Sequence, residues 1–147
     1  MPLPKLDVPT YELTLPSTGD KLTYRPFLVK EEKILLMALE SEDESEIMRA
    51  MTHIISNCLI DSNLKPETLP SFDLEYMFLK LRSSSIGEIS ELLFKCKECE
   101  SDNPYKINLA EIEILKNENH TNDIKITDNI GVIMKYPTAK SISTQQT

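Results

Sequence analysis

The sequence is poor in several residue types on which common enzyme motifs depend. Its 147 residues include three glycines, two histidines, three cysteines and no tryptophan. The glycines Gly19, Gly87 and Gly131 stand too far apart to form either of the glycine-rich motifs that cradle phosphate groups. Nucleotide-binding enzymes built on those motifs are therefore excluded.

Long apolar runs and a secretory signal are also missing. The longest apolar run, residues 34–39, is far shorter than the roughly 20 residues that a membrane-spanning helix needs, so we expect no membrane span. The chain begins MPLPKLDVPT, without the basic and apolar regions of a signal peptide, so we expect it to stay in the cytoplasm where it is made. An odd number of cysteines in such a chain predicts free thiols rather than a disulfide framework.

The net charge argues against a nucleic-acid partner. Sixteen basic residues stand against twenty-four acidic ones, for a formal net charge of −8. A negative chain repels a phosphate backbone unless its basic residues cluster, and no such cluster is present. We therefore expect no nucleic-acid partner.

Proline and a two-residue periodicity define the first part of the chain. Pro2, Pro4 and Pro9 predict an extended arm over residues 1–9, of a kind that often packs on a partner. Apolar and polar residues then alternate between Tyr11 and Tyr24 around a turn, which predicts a β-hairpin over residues 10–27 with one solvated face.

Helical periodicity follows over residues 30–82. A first helix is expected at about residues 30–40, and an acidic run, residues 40–46, predicts an exposed loop and the start of a second helix. The second helix has one apolar stripe, formed by Ile47, Met51, Ile54, Ile55, Cys58 and Leu59. A third helix over residues 72–81 is apolar nearly all round, which predicts either the central helix of the domain or one buried against a partner.

Strand character returns over residues 88–136. Alternating apolar residues on either side of a C-x-x-C motif, and again around residues 127–129, predict a small antiparallel sheet. Residues 137–147 are polar and are expected to be a frayed tail. Together these features predict a single α+β domain over residues 1–147, with an amino-terminal hairpin, about three helices and a carboxy-terminal antiparallel sheet that bears a C-x-x-C turn.

Cys96 and Cys99 form the most specific candidate functional motif in the sequence. A C-x-x-C turn between two strands can offer two thiolates to one zinc ion, but a structural zinc site has four ligands. Cys58 lies on the apolar stripe, so His120 and another group, or a second chain, would have to complete the site. A hairpin turn that merely holds two thiols is the plainer interpretation, and a thioredoxin-like redox role is disfavoured because the motif does not open a helix.

No other residues form a recognisable catalytic motif. His53 is expected on a helix, off the apolar stripe, and no serine near it stands in a nucleophile motif. The acidic run lacks the spacing and the central glycine of a calcium loop. We therefore expect a protein that is not an enzyme and needs no cofactor, unless Cys96 and Cys99 bind zinc.

Segments that span nearly the whole chain resemble the baseplate hub family of T-even-type contractile-tailed bacteriophages, which comprises hub subunits and hub assembly proteins. They are PLPKLDVPTYELTLPSTGDKLTYRPFLVKEEKILLMALES, FDLEYMFLKLRSSSIGE, FKCKECESDNPYKINLAEIEI and DIKITDNIGVIMKYPT. None is a catalytic signature, so the specificity of the resemblance lies in their combination and order. Members of that family continue past the Y-P-T segment into a further helical part, so this chain is expected to be either a short member of the family or one truncated at its carboxy terminus.

The resemblance implies a baseplate hub component or a hub assembly factor without enzyme activity. Such a protein would be present in the host cytoplasm during assembly, and in the tail baseplate of the virion if it remains there. Its partners would be other hub proteins, contacted by the arm, the hairpin and the apolar third helix. A zinc-stabilised adaptor that binds a regulatory partner is the alternative function.

Overall fold

Strands at both ends of the chain flank a helical middle. A computed structural model describes residues 8–60, 63–115 and 117–144. The elements are β1 (Tyr11–Thr14), β2 (Lys21–Tyr24), α1 (Val29–Glu40), α2 (Glu44–Cys58), β3 (Leu59–Ile60), α3 (Ser71–Ser85), β4 (Ile89–Lys95), β5 (Asp102–Asn108), β6 (Asp123–Thr127), β7 (Ile130–Ile133) and α4 (Ala139–Thr144). The predicted α+β class is confirmed. Within the described ranges, no helix is long and apolar enough to cross a membrane.

The predicted amino-terminal hairpin is formed by β1 and β2. The strands are antiparallel with Leu13 opposite Leu22, and both side chains are buried on the face that meets the helices. Gly19 adopts a φ of 80° in the connecting turn, a backbone conformation that favours glycine. The two residues of β3, which follow α2 directly, add a third strand beside β2. The residue pattern around Leu59 and Ile60 does not predict this strand.

The core lies between this sheet and the helices α2 and α3. Ile54, Ile55 and Cys58 of the predicted stripe are buried, whereas Ile47 and Met51 are only half-buried. From α3, the side chains of Leu74, Met77 and Leu81 are at most 1% exposed. The third helix is therefore the central helix of the domain.

Two buried carboxylates in the first turns of helices accept hydrogen bonds from residues of other segments. Glu31 of α1 accepts hydrogen bonds from the Leu28 amide (2.8 Å) and from Arg25 Nη2 (3.0 Å). Asp73 of α3 accepts hydrogen bonds from the amide (3.1 Å) and the hydroxyl of Ser17, in the β1–β2 turn. Both carboxylates are fully buried, and each stands in the first turn of its helix, where negative charge is favourable.

The carboxy-terminal strands are antiparallel, as predicted, but they form two separate two-stranded sheets. β4 pairs with β5 from Ile89 opposite Asn108 to Lys95 opposite Asp102, and the C-x-x-C motif forms the turn between them. β6 pairs with β7 around the expected turn, with a register shift between Lys125 and Thr127. We call these sheets the first ribbon (β4–β5) and the second ribbon (β6–β7).

The end of the chain returns to the core instead of fraying throughout. Thr138 forms a β-bridge with Pro70, and the Ser71 amide donates to the Pro137 carbonyl at 3.0 Å. Ala139 at the start of α4 is 6% exposed and belongs to the core. The expectation of a frayed tail over residues 137–147 is wrong for Pro137 and Thr138, because Ser71 and Pro70, distant in sequence, provide their partners, and for residues 139–144, which form α4. Residues 145–147 lie outside the described part of the chain.

Candidate interaction surface

The first ribbon exposes apolar side chains on both of its faces. Leu92, Phe94 and Tyr105 share one face, where the rings of Phe94 and Tyr105 meet edge to face with centroids 6.2 Å apart. On the opposite face, Ile89 is 65% and Leu93 is 71% exposed. A two-stranded ribbon without a covered face is marginally stable by itself in water.

The second ribbon is equally open. Its apolar side chains and those of the segment that follows are between 40% and 72% exposed. They are Ile124, Ile126, Ile130, Val132, Ile133, Met134 and Tyr136. With the first ribbon, they form the largest set of uncovered apolar side chains on the described part of the chain.

The bases of both ribbons are attached to the core. After β5, Leu109 is 6% exposed, and Lys80 Nζ of α3 donates to the Ala110 carbonyl at 2.5 Å. After β7, the ring of Tyr136 meets Phe72 of α3 edge to face, with centroids 4.9 Å apart. The ribbons are thus attached to α3 while their apolar side chains stay in solvent.

Tyr136 and His120 form a small polar cluster between two open clefts. Tyr136 Oη and His120 Nε2 are 2.6 Å apart, and their rings are stacked. Both residues line clefts of about 460 and 600 Å³ on either side of them. This contact holds His120 beside Tyr136, and among the residues that the structure describes His120 belongs to no group of three possible metal ligands.

Helix α1 has a further apolar surface. Its buried side is formed by Glu31 and Ala38, with Leu35 packed against the core. The opposite side exposes Leu36, Met37 and Leu39 by half or more. A second, smaller surface for contacts therefore lies on the helix that follows the amino-terminal hairpin.

The C-x-x-C turn brings its two thiols together at the tip of the first ribbon. Cys96 and Cys99 lie 3.5 Å apart as free cysteines, with Cys99 exposed and Cys96 half-buried. The Ser101 Oγ lies 3.1 Å from Cys99 Sγ, and hydrogen bonds from the Ser101 hydroxyl and amide lower the pKa of the Cys99 thiol. Across the described ranges, no three histidine, cysteine or acidic residues are grouped to hold a metal ion.

The remaining candidates have structural or solvent-facing positions. Burial raises the pKa of the Cys58 thiol to about 11, which suits a core residue and not a metal ligand. His53 is exposed, as predicted, and its Nδ1 lies 3.4 Å from the Asn57 side chain. The described residues of the acidic run, 40–46, are mostly exposed.

The surfaces predicted to meet partners differ from those that the structure leaves open. The apolar side of the hairpin and most of α3 face the core. Most of the predicted arm, residues 1–7, lies outside the described residues. The ribbons were not predicted as a surface, because alternation identifies a strand but does not tell which neighbour covers its apolar face.

Comparison with known proteins gives one finding. The family model described as T4 bacteriophage base plate protein matches residues 8–147. No curated protein and no solved structure matches the chain.

Proposed function

We propose that this chain, which belongs to the T4 bacteriophage base plate protein family and is a component of the phage tail baseplate, acts in the baseplate hub. It serves there as a hub component or as a factor that assembles the hub, and it works through protein–protein contacts. The observation that carries this proposal is the exposure of apolar side chains along both ribbons. The hub itself is suggested by the resemblance of the four sequence segments to hub proteins.

The ribbons have the properties of a surface that a partner covers. Monomeric soluble proteins rarely leave large contiguous apolar patches in water, and patches of that kind mark interaction sites. The free edges of β4, β5, β6 and β7 also offer unpaired backbone groups to a neighbouring strand. Burying even one apolar side chain such as Ile133 in a partner is worth about 1.5–3 kcal/mol.

Contact rather than catalysis is the role that this surface supports. Most of its side chains are aliphatic or aromatic, so what they offer a partner is buried apolar area and shape. The partners are other hub proteins, and the contacts form in the host cytoplasm while the baseplate is assembled. The protein then either remains in the tail baseplate or leaves the finished hub.

Single substitutions on the ribbons test the proposal. Ile89→Ser at the base of the first ribbon and Ile133→Ser on the second remove exposed apolar side chains, of 65% and 72% exposure. Each variant, co-expressed with hub proteins of the same phage, is expected to lose co-purification with them while retaining the far-ultraviolet circular dichroism of the parent chain.

The matched control is Leu115→Ser. Leu115 is 96% exposed and lies outside the strands of both ribbons, so its loss removes an exposed apolar side chain while leaving β4–β7 unchanged. Equal recovery of hub proteins by the parent and both ribbon variants would exclude the ribbons as the contact surface. Mass spectrometry of purified particles then separates a hub component, which is found in the virion, from an assembly factor, which is not.

A further inference from the structure

The tip of the first ribbon has the local structure of half a metal site. The Cys96 amide donates to the Ser101 carbonyl at 3.0 Å, and the Glu100 amide donates to the Cys96 carbonyl at 3.0 Å. These hydrogen bonds close the turn so that the cysteine side chains meet. Thiolates that share one tetrahedral zinc ion with bonds of about 2.3 Å stand about 3.8 Å apart, so the observed 3.5 Å separation needs only a small adjustment.

The residue after the second cysteine is held in an unusual conformation. Glu100 has a φ of 55°, in the left-handed region that residues with a side chain rarely adopt. This conformation returns the chain toward Cys96 and leaves Ser101 beside the Cys99 sulfur. Hydrogen-bond donors next to a ligand atom are what metal sites use to orient and stabilise thiolates.

We propose that Cys96 and Cys99 bind a zinc ion together with the same two cysteines of a second copy of the chain. The pair supplies two of the four ligands that structural zinc requires, and the described residues offer no further ligand group near it. On binding, the four thiols lose four protons to solvent and the four thiolates coordinate one Zn²⁺, with no change of oxidation state. This inference goes beyond the proposed function and does not depend on it.

A second copy fits the surroundings of the turn. A two-fold axis through the zinc ion would place the two ribbons tip to tip, with each copy contributing an identical set of ligands. The exposed rings of Phe94 and Tyr105 lie on the ribbon that ends in this turn and would gain cover from the same rings of the other copy.

Cobalt titration of the reduced, chelator-treated full chain tests this site. Co²⁺ is expected to give a thiolate-to-cobalt charge-transfer band and the intense ligand-field bands of tetrahedral coordination, saturating at one cobalt per two chains. The molar mass from light scattering should double over the same range, and Zn²⁺ should displace the cobalt spectrum. Cys96→Ser and Cys99→Ser should each abolish the bands and the mass change, whereas Cys58→Ala should keep both.

A variant of Ser101 tests the role of the hydroxyl that lies beside the Cys99 sulfur. Ser101→Ala removes the side-chain hydrogen bond to Cys99 and keeps both thiols, so the cobalt affinity is expected to fall by about 10-fold. Unchanged thermal unfolding of the metal-free variants shows that they still fold.

Two results of the cobalt titration would overturn the proposal. Absence of thiolate–cobalt bands in the folded parent chain overturns the metal site. Saturation at one cobalt per chain with an unchanged mass overturns the second copy as the source of ligands. Because Ile89 and Ile133 lie away from the turn, their effect on hub binding is measured independently of the metal.

Discussion

Glu31 and Arg25 form an ion pair of 3.0 Å in which the carboxylate is fully buried and the guanidinium is 19% exposed. The pair joins the end of the amino-terminal hairpin to the first turn of α1. Arg25 Nη2 also donates to the Asn57 carbonyl at the end of α2, so one side chain connects three elements.

Removal of the cation is expected to destabilise the fold strongly. Arg25→Ala leaves Glu31 buried without its main partner and should lower the free energy of unfolding by about 3 kcal/mol. Lys30→Ala is the control, because Lys30 is 69% exposed and approaches Glu31 only to 3.4 Å; its cost should stay below about 1 kcal/mol. Urea unfolding followed by circular dichroism measures both, and equal effects of the two variants would contradict the importance of the Arg25 pair.

The same carboxylate predicts how stability depends on pH. Burial would raise the pKa of Glu31, but hydrogen bonds from Leu28 and Arg25 and the positive charge of Arg25 outweigh it and hold the pKa below its ordinary value of 4.5. Since the folded state has the lower pKa, the stabilisation is fully present above 4.5 and is lost as the pH falls through the folded value.

Glu31→Gln isolates this contribution. The variant cannot titrate at this position, so the difference in unfolding free energy between parent and variant should shrink as the pH falls below 4.5. Urea midpoints measured across an acidic pH series provide the test. A difference that stays constant over the whole series would show that Glu31 does not have a lowered pKa.

The three cysteines are expected to react with thiol reagents in two distinct groups. Cys58 is fully buried with a pKa of about 11, so at pH 7 its thiolate fraction is on the order of 10⁻⁴, whereas Cys99 is exposed with a lowered pKa. In metal-free native protein, a chromogenic disulfide reagent should titrate Cys96 and Cys99 and reach Cys58 only after denaturation. Rapid reaction of all three thiols in the native state would mean that Cys58 is accessible.

The effect of replacing an apolar side chain on the free energy of unfolding should depend on how deeply that side chain is buried. Met77→Ala in α3, where the side chain is 1% exposed, is expected to cost about 2–5 kcal/mol because it leaves a cavity. Leu93→Ala on the first ribbon, where the side chain is 71% exposed, should change stability by less than about 0.5 kcal/mol in the isolated chain. A large loss of stability in the Leu93 variant would indicate that the ribbon is covered within one chain.

Local sequence patterns predicted those parts of the fold that depend on local periodicity. The alternation around Leu13 and Leu22 gave the hairpin and its inward face, and the stripe with Ile54 and Ile55 gave the buried side of α2. The spacing of Cys96 and Cys99 correctly predicted a turn between two strands.

Features that depend on distant partners were missed. β3 is only two residues long, and its strand character comes from pairing with β2. The position of Thr138 depends on its pairing with Pro70, far away in the sequence. The exposure of Phe94 and Tyr105 could not be predicted either. Alternation with a period of two shows which residues share a face of a strand, but it does not show what packs against that face.

The attachment of the ribbons to α3 has a mechanical consequence. The chain leaves the carboxyl end of α3 at Ser85, forms both ribbons, and returns to its amino end, where the Ser71 amide bonds to Pro137. Lys80 holds the stretch between the ribbons to the same helix. A load applied to either ribbon would therefore reach the core through α3.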